Sequence, residues 1–170
     1  NVQPIMNEYD DKLNKKLVAH PAKDALKGEF GEWFKGVQVS LDLFSPDNIP
    51  LETEENKEIQ AYQKITGGMS VEFEGKTQTM QQLAAYMERT DRDLRERAWR
   101  AMWERRLQDK EALDKAFDNL FALRKQIAKN SHCKDFIDYI FLAKHRFDYS
   151  PADCEAFHES IEKLVLPLQK

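Results

Sequence analysis

The sequence predicts a mainly α fold, a multi-helix lobe with one long helix over about 91–129 and a small β-hairpin over about 69–79. Three observations carry that expectation. Apolar residues recur at helical spacing through most of the chain. Between Asp91 and Lys129 there is neither proline nor glycine, and an uninterrupted helix of that length would run on the order of 60 Å. From Met69 the pattern alternates instead, and Glu74-Gly75 can turn the chain back on itself.

The elements follow in order. Val2, Ile5, Met6, Tyr9, Leu13 and Leu17 form one apolar stripe of a first helix, which Pro21 ends because the residue before a proline leaves the helical region. Leu26, Phe30, Trp33, Phe34 and Val37 mark one face of a second helix, weakened by Gly28, Gly31 and Gly36. Val37 to Phe44 then reads with period two, so a short extended segment is expected there. Ser45-Pro46-Asp47-Asn48 is turn chemistry. A third helix is expected over Leu51 to Thr66, with Ile59, Tyr62 and Ile65 inward and Glu52, Glu54 and Glu55 complementing the dipole in its first turn.

After the hairpin, Thr79 and Gln82 stand in capping-box spacing ahead of Met80, Leu83, Ala84 and Met87. Thr90 is placed to cap the long helix, whose inward face would carry Trp99, Trp103, Leu107, Leu113, Phe117, Leu120 and Ile127 until Asn130-Ser131-His132 breaks it. A short helix is expected over Asp135 to Lys144. Ser150, Pro151 and Asp153 spell a clear start for the last one, with Cys154, Phe157, Ile161, Leu164, Val165 and Leu168 as its stripe.

Composition narrows the function classes. Hydrophobic residues make up 41% and charged residues 33% of the 170, too apolar for a disordered chain and too charged for a membrane protein. The 26 basic and 30 acidic side chains nearly balance, which argues against a nucleic-acid or anionic-membrane binder, since both need a one-signed patch. Two cysteines, Cys133 and Cys154, make no disulfide framework and read as free thiols of a reducing, cytoplasmic compartment, with one bond between them as the alternative. Asn1 opens no signal-peptide core. No glycine or asparagine stops the last helix before Lys170, so the expectation is a chain cut from something longer.

No complete catalytic site is expected within these residues, and no catalytic, cofactor-binding or metal-ligating residue is assigned. The nearest motif is His158-Glu159-Ser160-Ile161-Glu162. A zinc-protease helix sets two histidines four residues apart so that both imidazoles reach one metal from one face. Here Glu162 stands at the second position, which leaves one imidazole, and a solvated helix face is the expected reading. Arg89, Arg92, Arg95, Arg97, Arg100, Arg105 and Arg106 crowd one segment, but Asp91, Asp93, Glu96 and Glu104 interleave at ion-pair spacing. Gly67-Gly68 lacks the Lys and Ser/Thr of a phosphate loop.

Several runs in their order carry a resemblance. They are Tyr62-Gln63-Lys64-Ile65-Thr66-Gly67-Gly68-Met69, then Val71-Glu72-Phe73-Glu74-Gly75-Lys76 and Gln81-Gln82-Leu83. Next come Asp91-Arg92 with Arg95-Glu96-Arg97-Ala98-Trp99-Arg100 and Glu104-Arg105-Arg106, the run 121–130, and Arg146-Phe147-Asp148-Tyr149-Ser150-Pro151. Together, and more loosely with 39–50, they resemble the N-terminal helical portion of the oligoendopeptidase F-type (thimet-oligopeptidase-like) zinc metallopeptidases. The resemblance implies a parent that hydrolyses short peptides with one zinc held by an H-E-x-x-H helix and a later glutamate. It implies that residues 1–170 are a single N-terminal lobe, truncated at its C-terminus, one wall of the substrate channel and inactive alone. None of the zinc-binding positions has a counterpart here, so no metal is expected on this chain. A truncated lobe is expected to self-associate. The other class left open is a helical protein-interaction module without enzymatic activity.

Overall fold

The computed structural model describes Val2 to Gln169. In order these residues form α1 (Gln3–Ala19), α2 (Lys23–Leu43), α3 (Asn48–Gly67), β1 (Ser70–Phe73), β2 (Lys76–Thr79), α4 (Met80–Ala84), α5 (Arg92–Gln108), α6 (Lys110–Asn130), α7 (Phe136–Ala143) and α8 (Pro151–Leu164). Short 3-10 turns follow α4 and α8. The mainly α class and the hairpin are as the sequence predicts. The residues divide into two compact units. One comprises Glu54–Leu123, and the other comprises the segments before and after it.

The inserted unit is built on the hairpin. β1 and β2 pair antiparallel with Phe73 opposite Lys76 and Ser70 opposite Thr79. Glu74 and Gly75 both take positive φ, 49° and 73°, the conformation that a two-residue turn matched to strand twist requires. A sheet this small cannot hold itself. Phe73 therefore packs with Leu83 and Ala98, and with Tyr86, Leu94 and Met102 around them. The Phe73 and Tyr86 rings meet edge to face at 5.1 Å, and Gln78, buried on the same side, donates from Nε2 to the Tyr86 hydroxyl at 3.0 Å. The capping box closes α4 as expected. The Gln82 N–H donates to Thr79 Oγ1 and the Thr79 N–H donates to Gln82 Oε1.

Residues 91–129 are helical but not one rod. Asp109 separates α5 from α6, with φ −99° and ψ 10°. Its N–H donates to the Arg106 and Leu107 carbonyls while its own carbonyl accepts from the Leu113 N–H. Its carboxylate takes Arg105 Nη1 at 2.5 Å. The break falls where neither proline nor glycine is present. The cap of α5 is Asp91, whose carboxylate accepts the Leu94 N–H at 3.1 Å, rather than Thr90.

The flanking unit corrects a second expectation. Val37 to Leu43 continues α2 as helix, and only its C-cap Phe44 is extended. Phe34, Val37, Leu41 and Phe44 satisfy helical spacing as well as the alternation does. The helix adds Gln38 Nε2 to Asp42 at 2.8 Å and Ser40 Oγ to the Gly36 carbonyl at 3.0 Å, and among the described residues no strand is placed to pair with an extended form. α2 kinks at Phe30, between Gly28 and Gly31. α3 starts at Asn48, three residues early, so Glu52, Glu54 and Glu55 fall beyond its first turn.

A buried polar network closes this unit. Asn48, 2% exposed, donates from Nδ2 to the Ile127 carbonyl at 3.2 Å and the Ser131 hydroxyl at 3.0 Å. Its Oδ1 accepts from Asn130 Nδ2 at 2.9 Å, and the Ser131 hydroxyl donates onward to the Leu43 carbonyl at 2.7 Å. α6 and α7 each end with a histidine in the left-handed region, His132 (φ 58°) and His145 (φ 52°). In each case the next N–H reaches back across the last turn, Cys133 to Ala128 and Arg146 to Phe141, a termination that usually uses glycine. The His145 ring then lies against Gly36, where a Cβ would meet Cε1 at 2.8 Å.

The terminal helices leave most of their apolar stripes uncovered. On α1 the apolar stripe Val2, Ile5, Met6, Tyr9 and Leu13 is exposed. Its inward side is polar: Asn7 donates to Glu52 at 3.0 Å, and Asp11 holds Lys15 over the Phe44 ring. α8 stops at Leu164, with Phe157, Leu164, Val165 and Leu168 exposed and only Cys154 and Ile161 half-buried.

Candidate functional site

His158 and Glu162 both lie on the exposed side of α8, and the neighbouring Glu159 is taken by Lys163 at 2.9 Å. Among the described residues no three His, Cys, Asp or Glu side chains are grouped to hold a metal ion. One exposed imidazole and one exposed carboxylate on a single helix do not supply a zinc site, which needs three protein ligands at least. Cys133 is no reactive centre either. Burial, with Asp138 and Asp135 nearby, raises its thiol above the usual range, and its Sγ–H is turned to the Ser131 carbonyl. A thiol held protonated is a poor nucleophile.

The arginine run resolves into separate jobs. Arg100 pairs with Glu96 one turn away at 2.8 Å, as the interleaved pattern suggests. Arg97 instead crosses to the hairpin, with Nη1 2.6 Å from Glu74 and its guanidinium over Phe73. Arg105 is spent on Asp109. Arg106 is different. It is half-buried, makes no hydrogen bond or ion pair among the described residues, and rests on the Trp103 ring with 5.0 Å between Cζ and the centroid.

Trp103 and Arg106 belong to a groove of about 530 Å³. Met69 and Met80, both buried, form its floor with Leu113; the end of α3 supplies Tyr62 and Gln63, and α4 supplies Gln81. No carboxylate lines it. Trp99 and Trp103 were expected in the core, yet both are exposed, at 49% and 44%, with their rings 6.2 Å apart. Tyr62 was expected inward and is exposed too. The turn structure explains this. α3 ends at Gly67, Gly68 donates back to the Lys64 carbonyl, and Met69 rather than Tyr62 reaches the core. The groove left one trace in the sequence. Arg106 has Met102 and Lys110 at four-residue spacing and only Asp109, which Arg105 takes, at three, so no local acid was available to it.

Three comparisons bear on this geometry. The family model described as peptidase family M3 matches residues 85–170. Among solved structures, one designated oligoendopeptidase F superposes with a TM-score of 0.92 at 24% identity, and an oligoendopeptidase F from Bacillus anthracis with 0.90 at 23%. PZ peptidase A, determined with an inhibitor, superposes with 0.91 at 29% identity. They cover 98%, 97% and 98% of this chain in turn. The chain spans 30% of the length of each of those proteins. No curated protein sequence matches it.

Proposed function

Because the chain belongs to peptidase family M3, we propose that it is the N-terminal, substrate-channel lobe of a zinc metallo-oligopeptidase that hydrolyses short peptides. The observation that carries this reading is the agreement of backbone over nearly the whole chain with proteins more than three times as long. The exposed apolar stripes of α1 and α8 support it, since isolated soluble domains rarely leave such faces uncovered. The donor set of this chain does not suit zinc, so the metal of the parent would be held by residues outside it. No step of the reaction is assigned to residues 2–169. The same residues fit a cytoplasmic enzyme, with no helix long and apolar enough to cross a membrane among those described.

The test uses a quenched fluorescent peptide of about eight residues. The 170-residue chain with added zinc should give no turnover. The uninterrupted reading frame that contains it should cleave the peptide, and should lose activity when the glutamate of its H-E-x-x-H is changed to glutamine. A reading frame without H-E-x-x-H overturns the proposal and leaves the helical interaction module as the better account; turnover by the 170 residues alone overturns both.

A further inference from the structure

We propose that the Trp103–Arg106 groove binds the C-terminal end of a short peptide, with Arg106 taking the terminal carboxylate and the methionine floor taking the last side chain. The choice of a peptide among carboxylates rests on the peptidase reading above. The carboxylate itself rests on the groove.

Charge comes first. A half-buried guanidinium has lost part of its hydration and ordinarily recovers it from an anion. Arg97, Arg100 and Arg105 on the same helix each have a carboxylate. Arg106 has none among the described residues, and none lines the groove. Trp103 lies under the Arg106 guanidinium carbon. That contact gives the N–H groups no oxygen acceptor, and their fork matches the two oxygens of a carboxylate.

Shape and polarity select what carries that carboxylate. Met69 and Met80, with 3% and 8% exposure, give a soft apolar floor that adapts to different side chains. The exposed Tyr62 ring adds an aromatic wall. The side-chain amides of Gln63 and Gln81 make no hydrogen bond among the described residues, and an amide offers both a donor and an acceptor to a peptide backbone. An inorganic anion would use Arg106 alone and leave the floor, the ring and both glutamines unengaged. A volume of about 530 Å³ falls in the range of small-molecule sites.

The experiment is calorimetric binding of N-acetyl-Ala-Phe, as the free acid and as its C-terminal amide, to the 170-residue chain. The acid should bind about tenfold more tightly than the amide, or better, as expected for one charge-assisted hydrogen-bonded pair in an open groove. This comparison needs no variant and so does not depend on the folding of one. Arg106→Gln should reduce the ratio to about one, and Arg106→Lys should keep part of it. Inorganic phosphate should compete weakly. Equal binding of acid and amide, an unchanged ratio in Arg106→Gln, or phosphate competing as well as the acid would each overturn the proposal. No hydrolysis is measured, so an acid that binds to a chain whose parent proves not to be a peptidase sinks the functional reading and not the groove.

Discussion

Truncating Asn48 to alanine would leave the Asn130 amide without its acceptor and take one partner each from the Ile127 carbonyl and the Ser131 hydroxyl, which keep the Ser131 N–H and the Leu43 carbonyl. An unmet buried polar group is expensive, so Asn48→Ala should lower stability by roughly 1–3 kcal/mol. Urea unfolding followed by circular dichroism measures it, and a loss below about 1 kcal/mol would show that the network contributes little. Glycines make a sharper contrast. A methyl group at Gly28 meets nothing within 4 Å, whereas at Gly36 it meets the His145 ring at 2.8 Å. Gly28→Ala should therefore stabilise by up to about 1 kcal/mol through helix propensity. Gly36→Ala should destabilise, because overpacking of about 1–3 kcal/mol outweighs the same gain. Equal effects from the two substitutions would refute the close approach of α2 to His145. Neither residue announces itself in the sequence. Asn48 reads as turn chemistry, and Gly36 reads as a weak point of a helix; both roles come from partners distant in the chain.

Capping was the most legible feature at the scale of the element. Thr79 with Gln82 and Ser150 with Asp153 do what their spacing says, because the chemistry is confined to four residues. The Ser150 hydroxyl and backbone N–H both donate to Asp153 and hold its carboxyl below the usual carboxylate range. A lowered folded value means that the support is present above the unfolded value and is lost as pH falls through the folded one. Helicity of α8 should therefore persist at neutral pH and fray only below the ordinary aspartate range. Asp153→Asn should abolish that pH dependence, as followed by backbone NMR shifts of residues 151–154; an unchanged acid profile would remove Asp153 from the cap. Boundaries set by longer contacts were less legible. The alternation of Val37 to Phe44 is real, yet the same residues also repeat at helical spacing, and continuity with α2 decides. The division at Asp109 had no proline or glycine to signal it.

For the whole molecule, periodicity found apolar faces but could not say what covers them. The stripe of α1 was legible as a stripe, but its spacing does not tell a covered face from an open one, and Leu13 is 60% exposed. The chain should self-associate through such faces, with a concentration-dependent elution volume in size-exclusion chromatography. Ile5→Glu with Leu13→Glu should shift that dependence to about tenfold higher concentration or more. A monomer at every concentration would count against both the exposed faces and the lobe reading. The groove was hidden for a related reason. Trp103 and Tyr62 follow a helical period that predicts a core, yet both stand exposed on its rim.

The Asn48 network also sets an order of events during synthesis. Its partners lie 79 to 83 residues further along the chain, so the flanking unit cannot close until Ser131 has left the ribosome. Glu54–Leu123, with its hairpin and short-range contacts, is complete before then. Closing a loop of that length is entropically costly for a disordered chain, and a segment already folded inside it shortens the search. Nascent chains arrested with Leu123 outside the ribosome and Ser131 still inside it should thus protect the hairpin from proteolysis while α1 and α2 remain cleavable.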